Sequence, residues 1–154
     1  MSYIDSFEGK TLFLDTVSFI YYVEKHPKFL SILRDFFLRL DQGRFIAFTS
    51  TVTLAEVLVL PQRRKRMDLV EEYRSLLNET KNLFLVPIDA SVAEETSLVR
   101  AKYKYSLPDS LQLGAARMVG ADRFLTNDHA LRHVSEPHIV LLDSMIQPES
   151  ILSD

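Results

Sequence analysis

The 154-residue sequence contains no cysteine and only four glycines. Without cysteine there is no disulfide, no thiolate nucleophile and no zinc site built on sulfur, which suits a reducing compartment. The four glycines assemble neither a Walker nor a Rossmann phosphate loop, and no G-x-S-x-G turn presents a serine nucleophile. No basic-then-apolar leader opens the chain, and no apolar run approaches the ~20 residues of a membrane span. A cytoplasmic location without membrane association is expected. Linkers, low-complexity tracts and internal repeats are also missing. With 47% hydrophobic and 25% charged residues, residues 1–154 are expected to form one domain able to bury a real core. The net charge of −3 argues against binding nucleic acid by bulk electrostatics alone. It leaves room for a local basic patch, or for a metal ion as the local positive charge.

What is present is an alternation of short apolar runs and helical patterns. TLFLD (11–15), FIAFTS (45–50), LFLVPI (83–88), RFLTN (123–127) and HIVLLD (138–143) read as strands. VSFIYYVEK (17–25) reads as a helix, as does PKFLSILRDFFLRLDQG (27–43), with Pro27 suited to its first turn and Gly43 to its stop. TVTLAEVLVLP (51–61) reads as a helix ended by Pro61, and MDLVEEYRSLLNE (67–79) as another. Asp89 is placed to cap ASVAEETSLVRAKYK (90–104), and PDSLQLGAARMVG (108–120) completes the helices. Five strands separated by helices predict an α/β fold with a largely parallel sheet. In such sheets ligands gather beyond the carboxyl ends of the strands.

Four acids fall at that edge. Asp15 ends the first strand, Glu56 lies about one turn into the helix after the second, and Asp128 follows the fourth. Asp109 sits in the first turn of a helix whose N-terminus belongs to the same edge. Asp15, Asp109 and Asp128 each have an ordinary explanation as a helix cap or a dipole partner. Glu56 is harder to explain so, being the only charge in TVTLAEVLVL, a helix that reads as buried almost all round. Burying a carboxylate is costly unless it is paired or holds a metal. Four converging carboxylates call for a hard divalent cation such as Mg²⁺ or Mn²⁺, the usual apparatus of phosphodiester cleavage.

LFLDTVSFIYYVE, TSTVTLAEVLVLP and LPDSLQLGAARMVGADRFLTNDHAL together resemble a PIN-domain protein, specifically the VapC-like toxin ribonucleases. The similarity runs from about Leu12 to Leu142, with the motifs in the family's order and spacing. It implies a Rossmann-like three-layer α/β/α sandwich around a mainly parallel five-stranded sheet. It also implies a Mg²⁺- or Mn²⁺-dependent endoribonuclease that forms homodimers and is held in check by a cognate antitoxin. The family's four acids map onto Asp15, Glu56, Asp109 and Asp128, with Thr126 and Asn127 matching the residues before the fourth. Val17 stands where the family often has Ser or Asn, and Ser110 where it often has Ala.

Two other readings are open. A haloacid-dehalogenase-like phosphatase also places an aspartate after a first apolar strand, but needs a second acid where Val17 stands. A PIN fold that has lost catalysis would serve as an RNA-binding or structural module. The basic run Arg63, Arg64, Lys65 and Arg66 is a candidate for phosphate contacts as much as a solvated loop. Arg100, Lys102 and Lys104, with Tyr103 and Tyr105, read as a solvated helix face. His26, His129, His133 and His138 lack a metal-ligand spacing beyond His129 and His133, four apart and without a third partner, although His129 adjoins Asp128. Tyr21, Tyr22, Phe36 and Phe37 read as core or dimer surface.

Overall fold

The computed structural model describes residues 2–146. After a 3₁₀ turn at Tyr3–Phe7 come β1 (Thr11–Leu14), α1 (Thr16–Val23), α2 (Leu30–Asp41), β2 (Ile46–Ser50) and α3 (Thr51–Arg63). Then follow α4 (Met67–Glu79), β3 (Leu83–Val86), α5 (Ala90–Tyr103), α6 (Leu107–Met118), β4 (Arg123–Thr126), a second 3₁₀ turn at His129–His133, β5 (His138–Leu141) and α7 (Leu142–Met145). All five strands are parallel, in the order β3-β2-β1-β4-β5. The expected α/β/α fold is therefore found.

Alternation along the strands splits the interior into two layers. Leu12, Leu14, Ala47 and Leu125 face one side, packing against Phe19 of α1, Leu33 and Phe36 of α2, Val57 of α3 and Tyr73 of α4. Phe13 and Phe124 face the other, against Val92 and Val99 of α5 and Leu113 of α6. Their rings stack with centroids 5.4 Å apart, as the β1–β4 register sets Phe13 opposite Phe124. Phe36 and Phe37 are core, and Tyr21 and Tyr22 pack partly buried against it.

Three local expectations need correction. Pro61 does not end α3 but lies inside it; the helix runs on to Arg63, and the Pro61 carbonyl is taken by the Arg66 N–H. Pro27 lies in the turn before α2, which begins only at Leu30. The fifth strand ends at Leu141, so Asp143 belongs to α7. Asp89 does cap α5, accepting from Val92 N at 3.0 Å.

Candidate active site

The strand order reverses between β1 and β4, the switch point at which parallel sheets bind ligands. Asp15 and Asp128 follow the ends of these two strands. Asp15 is the N-cap of α1: its Oδ1 accepts from Thr16 N at 2.8 Å, and its own N–H donates to Leu125 O. Its Oδ2 accepts from the Thr126 hydroxyl at 2.8 Å. Asp128 caps the second 3₁₀ turn through Ala130 N. Asp109 is the third residue of α6, whose N-cap Ser106 accepts from the Asp109 N–H.

Glu56 departs from expectation. Its side chain is exposed, and α3 is not buried all round: Val59 and Leu60 are 46% and 43% exposed. The burial argument for Glu56 therefore falls. Its position rests instead on the Thr16 hydroxyl, which donates to Glu56 Oε1 at 2.8 Å.

The four acids share one electrostatic field. Burial lifts the Asp15 carboxyl to about 6; bonds from Thr126 and Thr16 oppose this, and the charges of Asp109 and Glu56 add to it. Asp109 is raised first by burial and then by Asp128, against the Ser106 hydrogen bond. Repulsion thus links Glu56 to Asp15, Asp15 to Asp109, and Asp109 to Asp128. Among the described residues none of the four pairs with a Lys, Arg or His. Hard oxygen donors without a compensating cation fit Mg²⁺ or Mn²⁺ in type. As the side chains stand, no group of three His, Cys, Asp or Glu among the described residues could hold one ion.

The flanking residues divide. Thr126 reaches Asp15 and also accepts from Asp128 N at 3.1 Å. Asn127 turns away, its Oδ1 accepting from Asp143 N. His129 also turns to Asp143, at 2.8 Å, and Lys28 meets the same carboxylate. Arg63 ends α3, seven residues beyond Glu56, which is about 10 Å along the same helical face. Arg64 and Lys65 form the turn, with Lys65 at positive φ, while Arg66 is held by both oxygens of Asp68. Thr16, which contacts Glu56 from forty positions away, escapes sequence reading. Tyr105, read with the solvated face of α5, stacks on Tyr103, bonds Ala130 O through its hydroxyl, and is raised by burial, then by Tyr103, Asp128 and Asp109.

The PIN domain family model matches residues 12–137. No curated protein matches the chain. VapBC2 of Rickettsia felis, solved with a fragment of promoter DNA, is similar at TM-score 0.70 and 16% identity over 85% of this chain and 98% of that one. DNA-bound VapBC of Salmonella typhimurium gives 0.66 and 20%, over 86% and 98%. VapC20 of Mycobacterium tuberculosis, a toxin that cleaves the sarcin–ricin loop, gives 0.61 and 15%, over 81% and 97%. At such identities the likeness is one of fold. No helix among the described residues is long and apolar enough to cross a membrane.

Proposed function

The chain belongs to the PIN-domain family, and from that premise we propose that it is a metal-dependent endoribonuclease, the toxin of a toxin–antitoxin pair. The observation that carries this reading is Asp15: a desolvated carboxyl at the switch point, in the field of Glu56 and Asp109, with no Lys, Arg or His paired to it among the described residues. Asp15, Glu56, Asp109 and Asp128 would hold Mg²⁺ or Mn²⁺. When bound, such an ion supplies Lewis acidity toward a phosphodiester. Thr126 and Thr16 orient Asp15, and Thr16 also orients Glu56. Arg63, about 10 Å along α3 from Glu56, and Arg64 and Lys65 in the turn after it would contact phosphates of the bound strand.

Likeness to toxin–antitoxin complexes supports a cognate antitoxin as partner, and the fold supports RNA as substrate. The same reading carries a homodimer acting in the cytoplasm, with residues 1–154 as a single domain. The test is cleavage of single-stranded or loop RNA by purified protein with Mg²⁺ or Mn²⁺. EDTA should abolish it, and so should Asp15→Asn or Asp109→Asn, each of which removes charge and little volume. In a host cell, expression of the wild type should slow growth, while Asp128→Asn at equal level should not. Unchanged cleavage in both Asp15→Asn and Asp109→Asn would overturn the assignment. A chain that neither cuts RNA nor binds the metal would be the catalytically silent form.

A further inference from the structure

Beside the acidic cluster lies a buried hydrogen-bonded network with Gln112 at its hub, three residues after Asp109 on α6 and 1% exposed. Gln112 Oε1 accepts from the Ser50 hydroxyl; its Nε2 donates to Thr53 Oγ1 at 2.7 Å and to Thr16 Oγ1 at 3.3 Å. Thr49 bonds Leu14 O and Thr53 Oγ1, each at 2.8 Å, and Thr16 bonds Glu56 Oε1 at 2.8 Å. Thr49, Ser50 and Thr53 are fully buried. The network joins the ends of β1 and β2 to α1, α3 and α6, and Glu56 is its outlet to the surface.

Counting protons fixes the direction of every bond. A carboxylate and a carbonyl can only accept. The Thr16 hydrogen is therefore spent on Glu56, and the Thr49 hydrogen on Leu14 O. Thr53 must then donate to Thr49, and both Thr53 and Thr16 must receive from Gln112. Only one orientation of the amide supplies two donors there, and Ser50, which accepts from Val52 N at 3.1 Å, donates to its oxygen. A flipped amide would set its oxygen against Thr53 and Thr16, whose hydrogens are already spent on Thr49 and Glu56.

Resting on the nuclease reading above, we propose that Gln112 is a positioning residue for the acidic site. By donating to Thr16 it forces that hydroxyl to aim its proton at Glu56, which holds Oε1 and would leave Oε2 available to a divalent cation. Without this donor, the Thr16 proton has Thr53 Oγ1 at 3.2 Å as a second acceptor, and the Glu56 side chain is free to sample other rotamers. Since Glu56 is exposed, little else fixes it.

The test measures Mn²⁺ binding to the full chain by calorimetry, without RNA. The proteins are wild type, Glu56→Gln, Gln112→Met and the double variant, each checked for a folded near-UV spectrum. Gln112→Met keeps the volume and removes the donor. It should weaken Mn²⁺ binding about tenfold, the scale of one misoriented charge-assisted bond, and in the Glu56→Gln background it should add almost nothing. Thr16→Val should reproduce the loss and Thr16→Ser should bind as wild type does; wild-type affinity in Thr16→Val would overturn the role of Gln112 even if Gln112→Met does not fold. Wild-type affinity in Gln112→Met, or effects of Gln112→Met and Glu56→Gln that simply add, would overturn the role of Gln112 and leave the acidic site standing. Failure of the wild type to bind Mn²⁺, or indifference to Glu56→Gln, would overturn the acidic site itself and the role of Gln112 with it.

Discussion

The Thr126 hydroxyl donates to Asp15 Oδ2 at 2.8 Å while accepting from the Asp128 backbone N–H at 3.1 Å. One fully buried side chain thus braces the acids that follow β1 and β4. The parallel register that pairs Leu14 with Leu125 brings the next residues, Asp15 and Thr126, together.

Thr126→Val keeps the shape and deletes both bonds. A hydrogen bond to a charged group contributes about 1.5–3 kcal/mol, so chemical denaturation should show a loss in that range. The Thr126 bond is the largest influence lowering the Asp15 carboxyl, so an NMR titration should find that group shifted further upward. An unmoved Asp15 would mean that the hydroxyl does not reach it.

Gly114 allows α6 to lie close against α5. A Cβ built there would meet Thr96 Oγ1 at 2.4 Å and Thr96 N at 3.0 Å, and the threonine hydroxyl is itself tied to Val92 O. Gly114→Ala gains about 1 kcal/mol of helix propensity but overpacks the seam, which costs typically about 1–3 kcal/mol. The backbone contact decides the sign: Tm should fall. Because α6 also carries Asp109, RNA cleavage should fall with it; a higher Tm would show that the helices can separate freely.

The strands and their order of appearance were legible because short apolar runs and helical patterns differ plainly in this chain. Asp89 as a cap and α4 over 67–79 come out as read. Pattern fails where burial is a property of the assembled layers. The run TVTLAEVLVL is almost wholly apolar, yet only Thr53 and Val57 within it are fully buried, so apolar composition misstates the setting of Glu56. Thr16 and Gln112 were invisible for another reason. Partners such as Thr16 and Gln112 lie ninety-six positions apart, and nothing local marks a threonine that will meet a distant amide. Adjacency to Asp128 in sequence says nothing of rotamer, and the Asn127 amide faces Asp143.

The basic run divides into free and engaged charges. Among the described residues Arg63, Arg64 and Lys65 have no acidic partner, whereas Arg66 is held by Asp68, whose carboxyl is pulled down to about 2 chiefly by that bond. If the three free residues contact phosphates, replacing them with Ala should flatten the log–log salt dependence of single-stranded RNA binding by about 2, at roughly 0.7 per contact. Arg66→Ala should change the slope less than any of the three. An unaltered slope in the triple variant would return the run to a solvated turn.

Asp15 supplies a test of whether the acids form one site or are separate caps. Burial, with repulsion from Asp109 and Glu56 added, raises its carboxyl from 3.8 to about 6 in the folded protein. A raised acid binds more protons in the native state than in the unfolded chain. Its contribution to stability is therefore fully present below about pH 4 and is lost as pH rises through about 6, to at most about 3 kcal/mol. Asp15→Asn removes this penalty, and asparagine caps α1 about as well as aspartate. In EDTA near pH 7.5 the variant should melt above the wild type, with the two curves converging near pH 4. Added Mn²⁺ should reverse the order. The wild type gains RT ln(1 + [L]/Kd), about 2.7 kcal/mol at a hundredfold excess over Kd, whereas the variant has lost a charged ligand and gains less. An isolated buried cap shares the pH dependence but does not predict the reversal by metal. Melting curves with equal metal response would reduce Asp15 to a helix cap and dissolve the four-acid site.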